Sequence, residues 1–103
     1  MKYFMIKYQF KGGSEEEWHR EIGRFVAALE SDPVLKGKIS YRSTKHKGGT
    51  DYYHLAAAAD EQAVKALEDR DFFSRFKEQT KIASSGGVEV LPLEVIAETD
   101  FRA

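Results

Sequence analysis

Residues 2–18 read Lys2-Tyr3-Phe4-Met5-Ile6-Lys7-Tyr8-Gln9-Phe10-Lys11-Gly12-Gly13-Ser14-Glu15-Glu16-Glu17-Trp18 and change their periodicity half-way. From 2 to 11 the chain alternates, with Phe4, Ile6, Tyr8 and Phe10 on one face and Tyr3, Met5, Lys7 and Gln9 on the other. Alternation with aromatic enrichment suits a pleated strand. Gly12-Gly13 ends that strand, and Ser14 followed three residues later by Glu17 is a capping box that satisfies the free amides of a helix start. Trp18, Ile22, Phe25 and Leu29 then recur on one helical stripe, while Glu16, Arg20 and Glu21 fall on the wet side. The helix is expected to stop near Ser31-Asp32-Pro33, because the residue before a proline disfavours helical geometry.

Outward from this β-α start, two extended runs, Ile39 to Lys47 and Asp51 to Ala59, flank Gly48-Gly49 and read as a hairpin. Asp60 caps a second helix carrying Ala63, Val64 and Leu67. The next apolar group, Phe72, Phe73 and Phe76, is out of phase with these, which predicts a kink or restart at 69–71. Ser84-Ser85-Gly86-Gly87 closes the helix, and Val88 to Ala97 supplies a last strand. Pro92 removes a ladder donor, so that strand is expected at an edge, at a bulge or in irregular pairing. The order β-α-β-β-α-β is that of an α+β, ferredoxin-like domain with a four-stranded antiparallel sheet and helices on one face. Strand one is apolar on both faces, so the uncovered face needs a partner, and a second copy of the chain is the simplest one.

Composition narrows the classes of function. The 103 residues, 42% hydrophobic and 32% charged, fit a single domain spanning 1–103. Sixteen Lys and Arg against 17 Asp and Glu give a net charge of -1, which supplies no global attraction to nucleic acid or an acidic membrane. The absence of cysteine removes thiolate metal sites, iron–sulfur clusters and thiol nucleophiles, and suits the cytoplasm. No apolar run reaches membrane-spanning length and no secretory h-region precedes the first strand, so neither a membrane nor a nucleic-acid partner is expected.

His54 is the foremost catalytic candidate, since a strand histidine facing a pocket titrates near neutral pH. It shares a face with Tyr52, Ala56 and Ala58, and the run Ala56 to Ala59 leaves volume that larger side chains would fill. Tyr52 is the second catalytic candidate, and Tyr8, Tyr41 and Tyr53 are further hydroxyls able to meet the oxygen of a phenol- or quinone-like ligand. Tyr8, Arg42, Phe72, Phe73 and Phe76 are the expected ligand-binding residues: Arg42 for its carboxylate-gripping fork, the phenylalanines as an apolar wall. Alternation leaves open which face Arg42 occupies, and the basic stretch Lys36, Lys38, Arg42, Lys45 and Lys47 also serves as protection against edge pairing. Trp18 reads as core from its helical spacing. His19 and His46 read as exposed, and with His54 they show no metal-ligand spacing, so no metal is expected.

The run Asp71-Phe72-Phe73-Ser74-Arg75-Phe76, the helix through Ile82-Ala83, and Gly87-Val88-Glu89-Val90-Leu91-Pro92-Leu93-Glu94-Val95-Ile96 resemble antibiotic-biosynthesis-monooxygenase domains. The resemblance implies two ferredoxin-like chains paired into a dimeric α/β barrel, with small ligands between helices and sheet. Haem-degrading members of that family use an asparagine on the first strand with a tryptophan and a histidine around the second helix. This chain has no asparagine, and its second helix has neither tryptophan nor histidine, so that triad is not carried over. What the resemblance implies is a homodimer that binds a small aromatic or quinol-like molecule and acts as a cofactor-independent monooxygenase. In that reading His54 takes a proton, a tyrosine steadies the oxyanion, and no cofactor takes part. The alternative is a non-catalytic dimer that binds or senses the same molecule. The element order also serves RNA-recognition modules, but the third strand, Thr50-Asp51-Tyr52-Tyr53-His54-Leu55-Ala56-Ala57, lacks their glycine-aromatic pattern.

Overall fold

The computed structural model describes residues 1–100. In chain order its elements are β1 (Lys2–Gln9), α1 (Glu15–Ser31), β2 (Ile39–Lys45), β3 (Asp51–Ala58), α2 (Glu61–Glu68), α3 (Asp71–Ala83) and β4 (Glu89–Leu93). The strands form one antiparallel sheet in the order β2-β3-β1-β4, the ferredoxin-like arrangement. β1 and β3 are central, and the helices lie over a single face.

Local chemistry sets the boundaries. Ser14 is the N-cap of α1, and its hydroxyl accepts a hydrogen bond from the Glu17 amide at 3.2 Å. Replacing Ser14 with alanine leaves that amide to water and is expected to destabilise the fold by about 1 kcal/mol, read from the shift of a urea unfolding midpoint. Asp32 ends α1; its carboxylate accepts from the Val34 and Leu35 amides and from Arg70, whose Nε lies 2.6 Å away. The Arg70 guanidinium, with the two amides, holds the Asp32 carboxyl down to about 2. Arg70 sits in extended geometry between α2 and α3, where the out-of-phase phenylalanines predict a restart. The break therefore aims Arg70 across to the end of α1.

α3 closes on a Schellman turn, with Gly86 N–H bonded to the Lys81 carbonyl at 2.8 Å and Ser85 in the left-handed region that usually selects glycine. β4 is an edge strand, as Pro92 requires, paired through Phe4. It is shorter than the pattern from Val88 to Ala97 suggests, because its ladder ends with Leu93 opposite Tyr3, where β1 runs out.

The core lies between helices and sheet. Trp18, Ile22, Phe25 and Leu29 are buried along α1 as their spacing predicts, against Tyr8 and Tyr52 from the sheet and Phe76 from α3. The Phe25 and Phe76 rings stack with centroids 4.0 Å apart, and Phe76 also stacks on Trp18 at 5.7 Å. Glu21 corrects the helical-wheel reading: it is only 9% exposed. Its carboxylate accepts from Arg75 Nε at 2.9 Å and Arg24 at 3.0 Å, joining α1 to α3. Arg75 holds the Glu21 carboxyl below its usual range. Among the described residues no helix is long and apolar enough to cross a membrane.

Candidate functional site

Strand alternation turns Tyr52, His54, Ala56 and Ala58 of β3 toward the helices. In the ladders Tyr8 lies opposite Tyr52, and Tyr41 lies opposite Ala56. Both are therefore diagonal neighbours of His54 on the same face, one on each flanking strand, within reach of long side chains. The imidazole is clamped between them: Tyr8 Oη is 2.8 Å from His54 Nε2, and Tyr41 Oη is 2.5 Å from His54 Nδ1. Trp18 extends the row from α1, donating its indole N–H to Tyr8 Oη at 2.9 Å.

The row is dry. His54 is 0% exposed and Tyr8 4%. Burial lowers the His54 pKa to about 4, and burial raises the Tyr8 and Tyr41 phenols well above their ordinary range. At neutral pH the imidazole is uncharged and both phenols keep their protons. Such an assembly transmits hydrogen-bond polarity rather than net charge.

Beside it lies a cavity of about 510 Å³ between the sheet and the α2–α3 pair. Its floor is Phe4, Ile6, Tyr41, Ala56 and Ala58, its roof Val64, Leu67, Phe73, Phe76 and Thr80. The alanine run of β3 is what leaves the space, and its volume falls within the range of small-molecule sites. Glu68, Lys77 and Lys81 supply charge at the exposed rim. Val90 of β4 lines the cavity yet is 59% exposed, so the cavity opens along the β4 edge. A second depression of about 390 Å³, between α1 and α3, carries Arg20 and Arg24. Those side chains are already paired with Glu16 and Glu21.

The expected site residues are only partly gathered here. Phe73 and Phe76 line the cavity, whereas Phe72 packs on Phe25 with centroids 6.0 Å apart and does not. His54 and Tyr8 sit behind the wall and reach the cavity only through Tyr41. Tyr52 faces away from it, its Oη 2.7 Å from His19 Nε2; burial pushes the phenol up to about 12, with Glu15 nearby adding to the shift. His19 is thus partnered rather than free on its helix flank. Arg42 lies opposite Leu55 on the uncovered face of the sheet, away from the cavity. Tyr41, which the sequence offers only as one of several hydroxyls able to meet a ligand's oxygen and not among the expected binding residues, is the tyrosine that lines the cavity. Its signal was available only through the β2–β3 register, which one strand's alternation does not reveal. Among the described residues no three His, Asp or Glu side chains gather as metal ligands.

Comparisons with protein-family models and with curated proteins find no match to the sequence. Solved structures do match. A mutant of SnoaB, a cofactor-independent oxygenase from Streptomyces nogalater, superposes with a TM-score of 0.72 at 14% identity over 94% of both chains. A structure described as an antibiotic biosynthesis monooxygenase gives 0.76 at 10% identity, over 94% of this chain and 100% of that one. The chain has the antibiotic biosynthesis monooxygenase fold. The same fold occurs in a dimeric ferredoxin-like protein of unknown function from Jannaschia, with a TM-score of 0.63 at 18% identity over 92% of this chain and 100% of that one. In this chain the phenol that meets the helix–sheet cavity is Tyr41, backed by His54, Tyr8 and Trp18.

Proposed function

We propose that this protein is a homodimer whose helix–sheet cavity binds a small aromatic or quinol-like molecule. The cavity carries the reading: an apolar chamber of about 510 Å³ with a single interior row of neutral hydroxyl and imidazole groups suits a flat, uncharged ring bearing one or two oxygens. Between the two functions open to such a site, the geometry favours binding over oxygenation. A base must touch the proton it removes. Both His54 nitrogens are engaged by tyrosines, its pKa is near 4, and it lies behind the cavity wall.

The homodimer is supported by the face of the sheet that the helices leave uncovered. Tyr3, Met5, Leu55, Leu91 and Leu93 form an apolar band on the face that no helix covers.

The test is a titration with 1-naphthol on the wild type and on Ala56→Trp, which fills the floor of the cavity. The wild type is expected to bind and the variant to lose at least ten-fold in affinity while remaining folded. Equal binding by the two would move the ligand elsewhere and remove the reading. Oxygen uptake is followed in the same samples. Turnover lost on Tyr41→Phe with binding retained would establish chemistry in place of simple binding.

A further inference from the structure

We propose that the buried hydrogen-bond row runs in one direction, Trp18 to Tyr8 to His54 to Tyr41. Tyr41 then presents its hydroxyl proton to the cavity and selects ligands with an accepting oxygen, such as a ketone or quinone carbonyl. This rests on the cavity being the binding site.

Direction follows from counting protons. Four groups can donate, namely the Trp18 indole, the Tyr8 hydroxyl, one nitrogen of the neutral imidazole and the Tyr41 hydroxyl, and they share three links. The indole N–H has no lone pair to offer, so the first link runs from Trp18 to the Tyr8 oxygen. One proton of the four is left over, and the histidine tautomer decides where it sits.

With the imidazole proton on Nε2, His54 and Trp18 both donate to the Tyr8 oxygen, and Tyr41 donates to Nδ1. The leftover proton is then that of Tyr8, a side chain 4% exposed, outside both cavities, and with no other hydrogen bond among the described residues. With the proton on Nδ1, Tyr8 donates to Nε2, His54 donates to the Tyr41 oxygen, and the leftover proton belongs to Tyr41. Tyr41 is the one member of the row that lines the 510 Å³ cavity. A buried donor without a partner is strongly disfavoured, whereas a donor at a cavity wall is satisfied by water or by ligand, so the second tautomer prevails.

The polarity has a chemical consequence. Each donor in the row strengthens the next, so the Tyr41 hydroxyl is a better donor than an isolated phenol. The other interior hydroxyl of the wall, Thr80, already donates to the Phe76 carbonyl at 2.7 Å and supplies nothing inward. Trp18, Tyr8 and His54 are therefore positioning residues, and Tyr41 is the group that touches ligand.

Two readouts test this. Long-range proton–nitrogen correlation spectra of the unmodified ¹⁵N-labelled protein report which ring nitrogen of His54 carries the proton. Nδ1 is expected, and Nε2 overturns the proposal without any variant having to fold. Titration with 1-tetralone and with tetralin, the same rings without the carbonyl, is expected to show about five-fold tighter binding of the ketone, the worth of one neutral hydrogen bond. Tyr41→Phe should make the two equal by weakening the ketone alone. Equal affinities in the wild type overturn the proposal while leaving the cavity as a binding site. No binding of either compound removes the cavity reading and the proposed ligand class with it, whatever the nitrogen spectra show.

Discussion

Replacing His54 with alanine is expected to cost the fold about 4 kcal/mol, as a lower urea midpoint with an unchanged slope. The imidazole fills a fully buried position, so its loss leaves a hole. It also bridges two tyrosines, so the buried Tyr8 hydroxyl and the half-buried Tyr41 lose a partner at once. The same residue sets a pH dependence. In the unfolded chain the imidazole binds a proton at its ordinary pKa near 6.5, whereas in the folded protein burial delays protonation to about 4. Between those values the unfolded state holds more protons, so stability is fully present above pH 6.5 and is lost as pH falls toward 4. The loss attributable to His54 is about 3 kcal/mol over that window. His54→Gln lacks a titrating ring and should be less stable at pH 7 but flatter down to pH 4. Parallel losses in the two proteins would show that His54 does not exclude the proton.

The second large effect lies on the opposite face. Leu55, 40% exposed in the chain, pairs across the sheet with Met5 and Arg42 at the centre of the uncovered apolar band. Leu55→Arg places a charge beside Arg42 where the proposed partner would have to bury it. Dimer dissociation is expected to rise on the order of 100-fold, about 3 kcal/mol, in sedimentation velocity across a dilution series. Monomer stability should change little, because the position is solvated when no partner is present. An unaltered sedimentation profile would place any self-association on another surface.

Those two faces show how far the sequence could be read. Element order, the Ser14 cap, the α1 stripe and the restart at Arg70 were legible because each depends on neighbours within about one helical turn. The cavity was legible in part, since a run of alanines at the end of a strand must leave room on one side. What local pattern does not contain is register. Tyr41 meets His54 only because Tyr41 pairs with Ala56, and Arg42 is sent to the far face by the same pairing. Phe72 and Phe73 are adjacent on one helix, yet only Phe73 reaches the cavity, a matter of how α3 is rotated on the sheet. Glu21 is buried because two arginines meet its carboxylate, one of them 54 residues away in sequence.

The most direct measurement is a methyl-resolved NMR titration of the labelled protein with 1-naphthol, since it reports where a ligand sits as well as whether it binds. Shifts are expected at Ala56, Ala58, Val64, Leu67 and Val88, which line the cavity. Leu55 and Leu93, across the sheet, should stay still. Shifts confined to Leu55 and Leu93, or none at saturation, would contradict the account.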